Sequence, residues 1–469
     1  MSKYDVAIIG AGMSGLAAGI RLAHYGRRVV ILDRHRRIGG MNSWYRRAGR
    51  EFDTGLHAMT NFSPLGARGA PLGKLLRQLR LRYQELDLVE QNFSVIRFPQ
   101  AELRFSNHPQ ELADSIGALF PGQVDGWLEL RNRIREFPSL VLDDLPPLSA
   151  RAVLAEHLSE PLLREMLLCP LMYYGNAREH DMDFAQFCVM FQSVFEQGLC
   201  RPRGGIRPLL QRLASRYQEA GGELRLGSGV RALHLHDQEM RGIELDSGES
   251  LEAEAVLSSA GYPETMALCQ PEQRSGQLEI EAETSPMSFV EAIFVCKKPM
   301  PSKIGGDPTI VFHSDTMPFR YHCPQGLVEP SSKVICLPDN FAAPDPDWRE
   351  RGESRIRLTR IASYQQWAKL DKAEYGQAKK ETRDNMLRDL QAWFGGAVEE
   401  PVAEDLFTPR TIEKYTGRRR GAVYGSPIKR RQGRTPIDNL FICGTDQGFH
   451  GITGAMLSGV SMANHHFLR

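Results

Sequence analysis

Three glycines and one aspartate near the start of this 469-residue chain have the types and spacing to hold a dinucleotide. Gly10-Ala11-Gly12-Met13-Ser14-Gly15 follows the apolar run Asp5-Val6-Ala7-Ile8-Ile9 and opens a helical pattern that reaches about Tyr25. A second apolar run, Arg28 to Leu32, ends on Asp33, about 20 residues past the glycines. Gly10 permits a tight turn, Gly12 lets backbone approach a pyrophosphate, and Gly15 lets helix pack on strand. Free N–H groups and the positive dipole end at the helix start attract phosphates. Asp33 is placed to accept hydrogen bonds from a ribose. Positioning these groups takes strand, helix and strand in register, the βαβ unit of a Rossmann-like α/β fold.

Other chemistries find little support. The eight cysteines (169, 188, 200, 269, 296, 323, 336 and 443) form no CxxC pair, and no His/Cys/Asp/Glu group has metal-ligand spacing, so no metal is expected. There is no GxSxG and no Ser-His-Asp order. The cysteines read as buried, reduced thiols of a cytoplasmic protein.

Length exceeds one ordinary core, so two domains are expected. The chain is 42% hydrophobic and 25% charged with a formal charge of +1, which predicts no nucleic-acid binding. No run approaches the roughly 18 apolar residues of a membrane span. One local bias stands out: from Lys414 to Arg434 there are eight Lys/Arg (414, 418, 419, 420, 429, 430, 431, 434) and no Asp or Glu. Exposed together they would draw the protein to anionic lipid as a peripheral membrane protein; the alternative is a solvated or salt-bridged loop.

Ile38-Gly39-Gly40-Met41-Asn42-Ser43 and Phe52-Asp53-Thr54-Gly55-Leu56-His57 come next. With the first unit they resemble the GR2-type flavoproteins, in which the double glycine lets backbone pass close to the diphosphate and ribityl chain. The resemblance implies FAD. It extends through Arg201-Pro202-Arg203-Gly204-Gly205-Ile206 to Ser258-Ser259-Ala260-Gly261. In the flavin amine oxidase and phytoene desaturase superfamily, the residue matching Val230 touches adenine through its backbone. Near the C-terminus, the apolar Asn439–Cys443 leads into Gly444-Thr445-Asp446, and Gly448 to Ala455 starts a final helix. That helix N-terminus suits the charge of a reduced flavin, with Asp446 reaching the ribityl or phosphate end. The implied cofactor contacts are Gly10, Gly12, Met13, Ser14, Gly15, Asp33, Arg34, Gly39, Gly40, Met41, Asn42, Gly55, Leu56, His57, Val230, Gly261, Gly444, Asp446, Gly451, Ile452, Thr453 and Ala455.

Within that superfamily the chain resembles the branch of phytoene desaturases, carotenoid isomerases and retinol saturases. Phe52-Asp53-Thr54-Gly55-Leu56-His57 is similar to the saturases' FDTGxH, and Lys414-Tyr415-Thr416 with Gly421 to Gly425 resembles their stretch before the last strand. The basic run matches no motif of the family. The resemblance implies a discontinuous FAD-binding domain (1–70, 200–265, 405–469) interleaved with an α+β substrate-binding domain containing a helical part (71–199, 266–404). It implies oxidation, saturation or isomerisation of carbon–carbon bonds in a hydrophobic polyene or isoprenoid-like substrate. The Met/Phe/Tyr-rich runs Leu167–Gly175 and Phe184–Phe195 suit an apolar tunnel or a plain helical core. Residues Pro344 to Gly352 read as an exposed loop, and Met386, Leu387, Leu390, Trp393 and Phe394 as a core stripe.

Hydride transfer at a double bond needs a matching proton movement. His57, beside the turn that lies near the flavin ring in the resembling families, is the first candidate for it, and His450 the rival. Two alternatives stay open. An amine oxidase acting on a small amine would want an aromatic cage, to which Tyr415 or Tyr424 would contribute. A flavinless binding protein like the Rab GDP-dissociation inhibitors would keep the architecture alone. Oligomeric state is not legible.

Overall fold

Two seven-stranded sheets organise the chain. The computed structural model describes residues 3–67, 69–143, 146–269, 280, 282–297, 306–343, 345–394, 398 and 400–468. In the first sheet the strands Glu223–Leu226, Val29–Asp33, Lys3–Ile9 and Ser250–Ser258 run parallel in that order, and Leu440–Ile442 adds parallel to Ser250–Ser258. Glu239–Leu245 and Val230–His236 continue it antiparallel. The parallel strands are almost uninterrupted apolar runs because both faces are covered. On one face the helix Met13–His24 packs between Ile206–Glu219 and the last helix, Gly451–Phe467. Contact between the first and last helices is backbone-close: a Cβ on Gly459 would fall 2.0 Å from the Ser14 carbonyl oxygen.

The second sheet runs Ala403–Phe407, Met287–Lys297, Glu353–Ser363, Ser332–Cys336, Ile310–Ser314, Ser94–Arg97, Glu102–Phe105. Its pairs are antiparallel except Ile310–Ser314 with Ser94–Arg97. Ala403–Phe407 straddles the residue-405 boundary expected from the sequence and belongs by its pairing to this sheet. One face is covered by the helix Lys372–Phe394, through Met386, Leu387, Leu390 and Phe394. The opposite face meets Pro161–Gly175 and Phe184–Phe191, whose Met, Phe and Leu side chains form the largest apolar cluster. Most of the two Met/Phe/Tyr-rich runs is therefore core.

Two readings of the sequence need correction. Of the stretch 344–352, Pro344 lies outside the described residues, while Pro346–Glu350 is a short helix that buries Trp348 beneath the Arg355 guanidinium. The basic run is not one exposed patch. Arg418 faces Glu264 and Asp446, Arg430 makes two hydrogen bonds to Glu283 at 2.6 and 2.8 Å, and Lys429 donates to the Tyr424 carbonyl. Arg431 donates to the Ser139 and Val141 carbonyls. Of the eight, only Lys414 and Arg434 are exposed, so the run matches the salt-bridged alternative and does not present its eight charges together. Among the described residues no helix is long and apolar enough to cross a membrane.

Candidate active site

The glycine turns stack against each other. Gly10 adopts φ +98°, and a Cβ there would meet the Ser259 hydroxyl at 2.4 Å; one on Gly15 would fall 2.0 Å from the Gly10 carbonyl oxygen. Both glycines are required by the protein's own packing. Gly12 is different. Its φ is ordinary, and the nearest atom to an added Cβ is the Gly39 oxygen at 3.9 Å, so packing does not demand a glycine there. What explains it is close approach of a ligand to backbone. The second turn is tied alongside, with Gly39 N–H donating to the Ala11 carbonyl at 2.8 Å and Gly40 at φ +56° against Gly12. Helix Met13–His24 begins here with no side-chain cap, so the amides of Met13, Ser14 and Gly15 lack intrahelical acceptors. This bare cradle fits a diphosphate.

The other expected contacts border the same cradle. Gly444, at φ +92°, abuts Ser14, with 3.1 Å from its would-be Cβ to the hydroxyl. Gly451 begins the last helix, Thr453 donates to the Thr60 carbonyl at 3.1 Å, Ile452 packs against the first helix's core, and Ala455 lies beside it. Val230 opens its strand next to Gly229, which is pressed on the Arg34 side chain. Met41 and Asn42 touch the Asp53–His57 loop: a Cβ on Gly55 would meet the Met41 oxygen at 2.6 Å, and Thr54 Oγ1 donates to it at 2.8 Å.

Two of the expected carboxylates are engaged with backbone. Asp33 accepts from Ala11 N–H at 2.7 Å and from His35 N–H at 2.8 Å, one bond per oxygen, which leaves lone pairs for a ribose. Losing it removes a charged acceptor and loosens the first glycine turn, so Asp33→Ala should weaken FAD binding about tenfold or more in a fluorescence titration. Unchanged affinity would refute that role. Asp446 is fully buried and accepts from Tyr262 N–H at 2.6 Å and Ser426 N–H at 2.8 Å. Burial works to raise its pKa, but Arg418 and Lys429 outweigh it and hold the carboxyl below its usual range. Its side chain braces two loops from inside the protein.

His57 ends a loop whose carbonyls are held by two buried arginines. Arg357 donates to the Asp53, Thr54 and Leu56 oxygens at 3.2, 2.7 and 3.0 Å. Arg201 donates to Leu56 at 2.7 Å and His57 at 3.3 Å and ion-pairs with Asp53. On the floor of the site, Glu291 and Thr359 are direct neighbours in adjacent strands of the second sheet. His57 Nε2 lies 3.2 Å from Glu291 Oε1 and 3.3 Å from Thr359 Oγ1. Burial would raise the Glu291 carboxyl, but the Arg357 guanidinium paired with it holds it well below the ordinary range. An anionic Glu291 accepts from Nε2–H, which leaves the lone pair on Nδ1. Burial pushes the His57 pKa down, with Glu291 opposing. Among the described residues nothing hydrogen-bonds Nδ1. This arrangement can take up a proton at Nδ1 with a carboxylate behind it to steady the resulting imidazolium.

An aromatic wall faces this couple. Tyr174 lies 6.2 Å from the His57 ring and 5.0 Å from Phe312, and its buried hydroxyl has no hydrogen-bond partner. Tyr424 donates to the Tyr173 carbonyl and packs beside Phe289 and His450. Tyr415 is 55% exposed on an outer helix, so the two tyrosines considered for an amine cage do not form one. Glu291, Arg357 and Thr359 are residues of this candidate site that sequence reasoning missed, whereas Arg201 and Tyr174 lay in stretches it had quoted. Glu291 had a signal: it is the single charge in the apolar run Met287–Cys296.

His450 does not share the site's chemistry. Its Nδ1 donates to the Gly175 carbonyl at 2.7 Å, and burial with the nearby Lys429 lowers its pKa to about 3. It stays neutral with its one proton committed, so it cannot serve as an acid at neutral pH. The fold pays for that neutrality in acid. An unfolded histidine protonates near 6.5 and the folded one only near 3, so stability falls as pH drops through 6.5 toward 3. His450→Gln keeps a donor for Gly175 and should flatten this part of the pH dependence of the urea midpoint; an unchanged slope would assign it elsewhere.

The flavin containing amine oxidoreductase family matches residues 13–465, and the chain belongs to that family. It is an FAD-dependent oxidoreductase. It is 23% identical to all-trans-retinol 13,14-reductase of Danio rerio, covering 98% of this chain and 86% of that protein. It is also 23% identical to the chloroplastic prolycopene isomerase of Arabidopsis thaliana, covering 99% and 82%. Among solved structures, an oxidoreductase from Methanosarcina mazei superposes with a TM-score of 0.68 at 17% identity, covering 98% and 99% of the two chains.

Proposed function

We propose that this protein oxidises, saturates or isomerises carbon–carbon bonds of a polyene or isoprenoid-like substrate, with His57 moving the matching proton. The observation that carries the reading is the His57–Glu291 couple, packed beside Tyr174 on a loop that Thr54 ties to the Gly40–Asn42 turn. FAD held in that cradle supplies hydride chemistry at its N5. The chain's own part begins with Arg357, which fixes Glu291 and three loop carbonyls, so His57 cannot turn. Glu291 sets the tautomer. Nδ1 takes a proton from the substrate carbon, or returns it, as the hydride leaves or arrives next to it. Tyr174, packed beside His57 and backed by the fully buried Phe312, keeps water from the couple. The names of the relatives support a polyene substrate; the exposure of Tyr415 removes one of the two tyrosines considered for an amine cage.

Cofactor contacts are assigned to the glycine turns, Asp33, Val230, Gly444 and the start of the last helix. Residues 1–70, 200–265 and the chain beyond the Ala403–Phe407 strand form the cofactor half, and the segments between them the substrate half. The test uses purified holoprotein under anaerobic conditions. Oxidised protein is mixed with phytoene, and dithionite-reduced protein with all-trans-retinol and with poly-cis-lycopene, while the long-wavelength flavin band and the products are followed. A change in flavin oxidation state or a converted polyene supports the reading. Bleaching by primary amines alone would overturn it in favour of an amine oxidase.

A further inference from the structure

A cavity of about 510 Å³ opens between the end of the helix Pro161–Gly175, the helix Phe184–Phe191 and the chain from Pro427 to Arg434. None of its lining residues belongs to the His57–Glu291 couple or to the glycine turns. It adjoins a second cavity of about 380 Å³, with which it shares Leu142 and Phe449, and which adds Leu140 and Leu457. Charge is unevenly divided in the first. Arg178, Lys429, Arg430, Arg431 and Arg434 line it, against a single carboxylate among the described residues, Asp183. That carboxylate is engaged by the amides of Leu148, Ala185 and Gln186 at 3.4, 3.1 and 3.3 Å. Arg430 is paired with Glu283, and Arg431 lies 3.9 Å from Asp183.

Arg178 has no such partner. Its backbone is fixed by Asn176, whose Oδ1 accepts from Arg178 N–H at 3.2 Å and whose Nδ2 donates to the Arg178 carbonyl at 2.7 Å. Arg178 Nε donates to the carbonyl of Pro427, another lining residue, at 3.2 Å, which lays the guanidinium on the cavity wall. Its Nη1 and Nη2 make no hydrogen bond among the described residues, and neither is shut off from solvent. Lys429 adds a second charge to the wall without an ion pair of its own, its ammonium donating to the Tyr424 carbonyl at 2.8 Å. A planar fork that is held in place, open and unpaired matches one carboxylate bidentately. The remaining surface suits hydrocarbon. Val189, Leu142 and Phe449 line the first cavity, Leu140 and Leu457 extend the apolar wall into the second, and Ile428 is 50% exposed at the edge. Each volume lies within the roughly 300–1,000 Å³ of small-molecule sites.

We propose that this cavity binds an amphiphilic carboxylate, with Arg178 as the ligand to the head group and Val189, Leu142 and Phe449 as the bed of the hydrocarbon chain, whatever reaction the His57 couple performs. The test uses holoprotein, so that the glycine cradle is already filled by flavin, titrated calorimetrically with decanoate, decanol and acetate. Decanoate is expected to bind at one site, with decanol and acetate at least about tenfold weaker, since one lacks the charge and the other the chain. Absence of decanoate binding overturns the proposal. Decanol binding as tightly as decanoate would show that the charge is not read, acetate binding as tightly would show that the chain is not, and either result overturns it too. Arg178→Gln should weaken decanoate about tenfold while the thermal midpoint stays where it was. Wild-type affinity in that variant at an unchanged midpoint counts against Arg178 and overturns its assignment. If the midpoint falls, Ile428→Glu decides, because that half-exposed apolar side chain can be changed without disturbing the core and the new carboxylate repels the ligand at the edge of the cavity. Weaker decanoate binding in Ile428→Glu supports the site, and unchanged binding overturns it.

Discussion

His57→Ala is expected to keep its FAD and to lose about two orders of magnitude or more in turnover. The range follows from what a positioned acid or base typically contributes, 10²–10⁴-fold. No hydrogen bond from the His57 side chain reaches the glycine turns; its ring nitrogen faces Glu291 and Thr359 on the second sheet. Flavin retention and turnover should therefore separate in this variant. A pH profile adds an independent readout. Burial holds the His57 pKa below 6.5, with Glu291 pulling the other way. The base form is then present at neutral pH, and the acid limb of kcat should lie below pH 6.5. Glu291→Gln removes the group that raises the His57 pKa, so it should shift that limb further down and lower kcat, because the imidazolium loses its counter-charge. A yellow His57→Ala protein turning over at the wild-type rate would make His57 structural. His450 would not inherit the role, since its Nδ1–H stays hydrogen-bonded to the Gly175 carbonyl.

The cradle was legible in the sequence because few residue types can build it. A positive φ at Gly10 and Gly39, and backbone contact at Gly15, leave glycine as the fitting choice, so the chemistry is written as spacing. The catalytic couple was only half legible. His57 was visible beside the glycine loops, but its partner Glu291 is 234 positions away and meets it through the pairing of two strands in another sheet. Local patterns carry no information on such pairs. Even so, a lone Glu in an apolar run and a strand reading Arg355, Arg357, Arg360 were both marks of buried charge seeking a partner. For the basic run the sequence could not choose between an exposed patch and a salt-bridged loop, because counting charge between residues 414 and 434 cannot show that Glu264 and Glu283, from other parts of the fold, sit against it. For His450 the side chain alone suggests a group that titrates near neutrality, and its burial against Gly175, which lowers that titration, is not written in the local sequence.

Arg201→Met should destabilise the folded protein by about 3–5 kcal/mol, the usual cost of removing one partner of a buried ion pair. Arg201 is 5% exposed and Asp53 8%, so neither charge has water to fall back on. Without the guanidinium, Asp53 keeps only the Ile206 N–H at 2.9 Å, and Arg201's bonds to the Leu56 and His57 carbonyls are lost. A charged group and a carbonyl are then stranded in the interior, and most of the loss comes from them rather than from the attraction itself. The loop concerned carries His57, so the part of the population that stays folded should also turn over more slowly. Urea unfolding followed by flavin release and by far-UV dichroism measures the first effect. The companion variant is Arg201→Met with Asp53→Leu, which removes both charges and fills some of the space. If stranded charge dominates, the double variant recovers a large share of the stability lost by Arg201→Met, yet activity stays low because the loop carbonyls remain without Arg201. If the double variant is no more stable than the single one, the pair is held by the net attraction between its charges, and the loop is stabilised by that attraction instead of by the arginine's bonds to its carbonyls.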